Sequence, residues 1–170
     1  MADKIPPFTA ADPPPDDPTS SASTQTLDLH ALAARLQALE DVEAIKQLKY
    51  RYWRALDMKD WDGLGTCFTE SASVRYGDGK FTFEGRKAIV DFYYNTLRRE
   101  NGVTTIHHGH HPEITLRDTT RATTRATGHW SLYHYMFNAA YQRGVRIGAY
   151  YKDKYVKSGN VWKIEVMDYI

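Results

Sequence analysis

The stretch LDLHALAARLQALEDVEAIKQLKYRYWRALDMKDWDG, residues 27–63, decides how this chain folds. Within it Leu32, Leu36, Leu39, Val42, Ile45, Leu48, Tyr52 and Leu56 recur at steps of three and four, the periodicity of an amphipathic helix. Asp28 stands near its start, and neither Gly nor Pro interrupts it before Gly63. One helix of about 30 residues is therefore expected, with a single apolar stripe along its length. Such a helix outreaches a small domain, and its first half is expected to overhang, covered by solvent or by a partner.

Downstream, Asp60-Trp61-Asp62 reads as an N-cap and a short helix running to Phe68. Residues 72–76, the turn Gly77-Asp78-Gly79 and residues 80–84 read as a hairpin, followed by a helix over 86–97. Beyond Gly102 the pattern is strand-like over 105–117, 121–135, 141–157 and 161–170, the last two joined by Ser158-Gly159-Asn160. Gly109, Gly128, Gly144 and Gly148 interrupt these long strands and are expected at bends of a curled sheet. The fold class is α+β. The long helix, laid against the concave face of a strongly bent mixed or antiparallel sheet, closes a cone with one open end, where a small molecule enters.

Upstream of the helix, residues 1–24 hold six of the seven prolines among acidic and hydroxyl residues. That mixture buries too little apolar surface to offset its ordering entropy, so residues 1–24 are expected to be a disordered tail and 25–170 the folded domain.

The chain has 170 residues, enough for one domain with a core that needs no disulfide or structural metal. Its 22 basic and 21 acidic residues leave a net charge of +1, which argues against electrostatic capture of nucleic acid or an anionic membrane. Cys67, the lone cysteine, sits in an apolar stretch without a neighbouring cation and reads as packing. No secretory signal and no membrane-length apolar run is present, so a cytoplasmic location is the default expectation. Twelve Tyr and four Trp outnumber six Phe, a composition suited to an apolar cavity that presents a few hydroxyls to a ligand.

Two stretches carry ionisable groups. In Ile106-His107-His108-Gly109-His110-His111-Pro112-Glu113, four of the seven histidines fall within five positions. Strand alternation puts His107 on one side with His111, and His108 with His110, unless a bulge at Gly109 resets the register. His108, His110 and Glu113, with His129 or His134, offer a jelly-roll-type metal set, but such folds do not begin with a long amphipathic helix. His108 and His111 read better as rim or surface residues. The second stretch is Lys49 to Asp57 at the end of the long helix, where Tyr52 lies on the apolar stripe. Asp57 stands at the helix C-terminus, whose dipole disfavours a carboxylate and is expected to raise its pKa unless a His N–H or an Arg compensates.

Taken together, residues 41–49 with Tyr52, Asp57 and Trp61-Asp62, then His107-x-Gly109-His110-x-Pro112-Glu113-Ile114, resemble the SnoaL-like branch of the NTF2-like superfamily. The likeness continues through residues 126–130 and 148–155 to Trp162-Lys163-Ile164, and within the branch it is similar to the bile acid 7-alpha-dehydratase group. It implies a cone-shaped NTF2-like barrel, a homo-oligomer (dimer or trimer), and no metal or organic cofactor. It also places that group's catalytic Tyr, Asp and His on Tyr52, Asp57 and His107. Where the group has a further acidic residue, this chain has Tyr133-His134, which points to a different leaving group or ring system.

The expected activity is cofactor-independent dehydration of a hydrophobic alicyclic or steroid-like carbonyl compound. His107 is the expected base, since imidazole titrates near 6.5, and Asp57 holds its neutral tautomer. Tyr52 donates to the developing enolate or the departing oxygen. His110 and His134 are expected as polar walls, and Trp53, Tyr76, Phe92, Trp130 and Tyr150 as lining. An isomerase using the same base, a small-ligand carrier, and an interaction module built on the overhanging helix are the alternatives.

Overall fold

Described in the computed structural model are residues 28–117 and 124–170; the expected tail over 1–24 and the strand start at Arg121 lie outside them. The elements run α1 (Leu29–Met58), α2 (Trp61–Thr66), β1 (Phe68–Tyr76), β2 (Phe81–Glu84), α3 (Arg86–Leu97), β3 (Val103–Arg117), β4 (Thr124–Asn138), β5 (Arg143–Ser158) and β6 (Val161–Tyr169). Asp28 caps α1, its carboxylate accepting from the amides of His30 (3.0 Å) and Ala31 (3.1 Å). The helix ends at Lys59, which takes a left-handed φ of 62° and turns its amide back onto the Ala55 and Leu56 carbonyls.

The single stripe expected along α1 is two stripes. Ile45, Leu48, Tyr52 and Leu56 are buried, whereas Leu29, Leu32, Leu36 and Leu39 are 45–68% exposed. Between Leu39 and Leu48 the apolar residues step by three, three times over, and each step advances about 300°, so the stripe turns through about 180°. Asp41 marks the switch. Its buried carboxylate accepts from Lys157 Nζ (2.6 Å) and Trp162 Nε1 (2.9 Å), which pins the helix to β5 and β6 where it enters the domain.

The six strands form one sheet in the order β2-β1-β6-β5-β4-β3, in which only the β1–β6 pair is parallel. Strands β2 and β3 remain edges, so the sheet curves without closing. From α1, Tyr52 packs edge-on against Phe68 of β1 and Tyr151 of β5, while the adjacent Trp53 packs edge-on against Trp130 of β4. Contacts that far apart in the strand order need the sheet to wrap the helix, and the expected α+β cone is what the chain forms.

The bulge considered at Gly109 lies elsewhere. The β3–β4 register shifts between His110 and Glu113, at His111 with its left-handed φ of 52° and Pro112, and not at Gly109. Gly109 serves a different need: a Cβ there would lie 1.7 Å from the Trp53 ring, so a side chain at this position would expel the indole from the core.

Beneath α1 an ion pair is sealed from solvent. Lys49 Nζ and Asp153 Oδ2 are 2.7 Å apart with both side chains at 0% exposure, and the ammonium sits 3.6 Å from the Tyr151 ring centroid. Tyr155 donates its hydroxyl to Asp153 (2.6 Å) and accepts from Trp130 Nε1 (2.9 Å). Desolvation lowers the Lys49 pKa and raises that of Asp153.

Candidate active site

The last turn of α1 carries Asp57 alongside β3, and alternation along that strand turns Thr105, His107 and Gly109 toward the helix. Both carboxylate oxygens are engaged. Oδ1 meets His107 Nδ1 at 2.6 Å and accepts from Thr105 Oγ1 at 3.0 Å, while Oδ2 accepts the His107 backbone amide at 3.0 Å. Lys59 extends the chain by donating to Thr105 Oγ1 at 3.0 Å. One carboxylate therefore fixes both backbone and ring of His107 and leaves Nε2 as the free ring nitrogen.

The electrostatics of Asp57 reverse the expectation from its helix position. Burial acts to raise its pKa, but the hydrogen bonds from the His107 ring and amide and from Thr105 outweigh it, and the carboxyl is held below the usual range. Asp57 is thus ionised at neutral pH, able to stabilise an imidazolium as one forms.

His107 borders two cavities. The inner one, about 170 Å³, is walled by Tyr52 and Leu56 of α1, Tyr93 of α3, His134 of β4, and Tyr151 and Tyr169 of the sheet, among others. An outer groove of about 580 Å³ runs between α1 and the edge strand β3, past Tyr50, Arg54, Met58, His108 and His110. The inner chamber draws side chains from α1, α3 and four strands besides β3, and polar groups converge in it, which is the pattern of a small-molecule site.

Those polar groups form two sets. Tyr93 Oη lies 2.8 Å from Tyr52 Oη and 2.6 Å from Tyr76 Oη, a three-hydroxyl chain. Burial pushes all three phenols up, so each keeps its proton. In the second set, the His134 ring stacks on His107 with centroids 4.1 Å apart and planes at 16°. Its Nε2 is buried without a hydrogen-bond partner among the described residues, and burial, reinforced by His107, lowers its pKa to about 4. His134 is therefore neutral near pH 7, with one nitrogen unsatisfied at the chamber wall.

Of the residues singled out from the sequence, Tyr52, Asp57, His107, Tyr76, Phe92 and His134 come together around this chamber. Trp53 and Trp130 pack on each other beside it, 5.3 Å between centroids. His110 is exposed on the outer groove, its ring 4.6 Å from that of His111, and Tyr150 is 62% exposed on a separate cleft with His129 and Glu113. The four clustered histidines do not form a ligand set: His107, His108 and His110 are strung along the outer groove, while His111, in the bulge with Pro112, lines the separate cleft; among the described residues no three His, Cys, Asp or Glu side chains are placed to hold a metal ion. Tyr93, Thr105 and Lys59 escaped the sequence reading. Tyr93 left one signal, since Ile89, Tyr93 and Leu97 repeat at steps of four as the buried face of α3.

Solved structures share this architecture. A hexachlorocyclohexane dehydrochlorinase, LinA-type3 from Novosphingobium barchaimii LL02, aligns at 18% identity over 80% of this chain and 89% of its own, with a TM-score of 0.65. A scytalone dehydratase-like protein from Novosphingobium aromaticivorans DSM 12444 aligns at 22% identity over 78% and 84%, with a TM-score of 0.64. An NTF2-like protein with a cystatin-like fold, also from Novosphingobium aromaticivorans, aligns at 23% identity over 84% and 88%, with a TM-score of 0.65. At these identities the likeness is one of fold. The sequence itself matches the SnoaL-like domain over residues 37–168, and the chain belongs to that family.

Proposed function

We propose that the chain is a cofactor-independent lyase that removes water from a compact, hydrophobic alicyclic carbonyl compound by proton abstraction and β-elimination. The observation that carries this reading is the Asp57–His107 pair, 2.6 Å apart, at the wall of a chamber whose other polar groups are hydroxyl donors and a neutral imidazole. Its neighbours in fold include proteins named for loss of hydrogen chloride and of water, which is support by analogy only.

In this mechanism His107 Nε2 takes the proton from the carbon next to the carbonyl, and the C–H electrons move onto the carbonyl oxygen as an enolate. Ionised Asp57 stabilises the imidazolium. The tyrosine chain supplies the enolate's donor: three phenolic protons serve two internal contacts, so one proton is left to point at a ligand, from Tyr52, Tyr93 or Tyr76 according to which hydroxyls donate within the chain. The enolate then collapses, the carbonyl and a new C=C bond form, and the β C–O bond breaks. The departing hydroxide takes the proton back from His107 and leaves as water. His134 Nε2 hydrogen-bonds an oxygen of the substrate.

Pockets for drug-sized ligands span roughly 300–1,000 Å³. A chamber of about 170 Å³ suits one or two rings better than the four-ring steroid that the sequence resemblance implies. The test is a panel of cyclic β-hydroxy ketones incubated with chelator-treated protein, with product masses recorded. Loss of the mass of water by the wild type, absent in His107→Ala and Asp57→Asn, is expected. Products of unchanged mass would make the chain an isomerase, and saturable binding without turnover would make it a carrier.

A further inference from the structure

The first third of α1 is an arm without a partner among the described residues. Leu29, Leu32, Leu36 and Leu39 step by three, four and three residues, the a and d positions of two successive heptads. Because the stripe turns through about 180° before Leu48, this seam lies on the side of α1 away from the sheet, and no described element of the chain covers it. A helix of about 12 residues is marginal in water unless its apolar face is packed.

The charges on either side of the seam say what fits it. With Leu29 as a, Arg35 falls at g and Glu40 at the following e, the positions that meet across a parallel seam of like helices. In-register pairing then sets each leucine on its own copy and one Arg35–Glu40 pair on either flank. The next two seam positions are Glu43 and Lys46, which bond to each other at 3.2 Å, so the seam ends where the helix enters the domain. The domain packs on the opposite face of α1 and leaves the approach of a second helix open.

We infer that this arm pairs in parallel with the same arm of a second copy of the chain, through Leu29, Leu32, Leu36 and Leu39 with Arg35–Glu40 contacts between chains. The inference is independent of the reaction proposed above.

A full-length Leu36→Cys variant under mild oxidation tests it, since the native Cys67 is buried and does not compete. Most chains are expected to become disulfide-linked pairs, while Ala34→Cys, at the outward f position, leaves them single. Adding Arg35→Glu or Glu40→Arg to Leu36→Cys is expected to cut the linked fraction severalfold, and both together to restore it. Equal linkage at positions 34 and 36, no linkage at 36, or failure of the double reversal to restore it would overturn the inference.

Discussion

Lys49 and Asp57 stand about two turns apart on α1, and each forms half of an acid–base pair with a strand residue, Asp153 on β5 and His107 on β3. The contact distances are nearly equal, 2.7 and 2.6 Å. Their surroundings differ. The Lys49–Asp153 pair is sealed on every side, and desolvation pushes both groups toward neutrality. At Asp57–His107 three hydrogen bonds hold the carboxylate ionised, and the side chains keep 23% and 5% exposure beside two cavities. Distance alone does not distinguish a structural pair from a reactive one; an ionised partner and a free nitrogen next to a cavity do.

That comparison breaks if substitutions at the two pairs have the same kind of effect. Lys49→Met leaves Asp153 buried without its cation and is expected to cost about 3–5 kcal/mol of stability, read as the denaturation midpoint, with turnover per folded molecule little changed. Replacing both members, Lys49→Met with Asp153→Leu, is expected to recover most of that loss. Asp57→Asn is expected to do the reverse, lowering kcat by about 10²–10⁴-fold with a small change in midpoint. Large stability loss at Asp57, or large kcat loss at Lys49 in folded protein, would erase the distinction.

How far these regions were legible in the sequence differs for a physical reason. α3 and the order of the six strands followed from periods of 3.6 and 2, which are local, although the short helix stops at Thr66, β1 begins at Phe68 and not at residue 72, and β4 runs past residue 135 to Asn138; Asp57 and His107 stood out as ionisable groups at the end of a helix and in a strand. The reversal of the stripe along α1 was also local but was hidden, because steps of three and four look alike unless their angles are summed. Long-range partners were not legible. Lys49 sits in the buried stripe between Leu48 and Tyr52, a signal that it needs a counter-charge, but nothing local names Asp153, 104 residues away. Likewise the three donors that lower the Asp57 pKa come from β3, and the helix dipole alone gave the opposite sign.

The comparison sharpens with pH. The folded pKa of His134 is lowered to about 4 from an ordinary 6.5, so between those values the unfolded chain binds a proton that the native chain does not. Stability is therefore expected to fall as pH drops from about 6.5 to 4, by up to about 3 kcal/mol from this group. His134→Phe keeps an aromatic ring against His107 and is expected to flatten the slope in that window, checked by urea midpoints at several pH values. An unchanged slope would mean that His134 is readily protonated in the folded chamber.

The smallest effect belongs to Tyr93, the middle hydroxyl of the chain, which touches both Tyr52 and Tyr76. Tyr93→Phe removes one oxygen and unsatisfies two neighbours, so a stability cost of about 1–2 kcal/mol is expected. Its kinetic signature follows from proton counting. With Tyr93 present, one phenolic proton of three is free for a ligand; without it, Tyr52 and Tyr76 each keep a proton that no longer has a fixed partner. The donor survives but loses its orientation. A fall in kcat of about tenfold, against about 10²-fold for Tyr52→Phe, is therefore expected, with KM little changed in both. If Tyr93→Phe lowered kcat as far as Tyr52→Phe, the proton offered to the ligand would depend on the whole chain. If Tyr52→Phe changed KM alone, the hydroxyls would belong with Lys49 and Asp153 as structural satisfaction and not with the reactive pair.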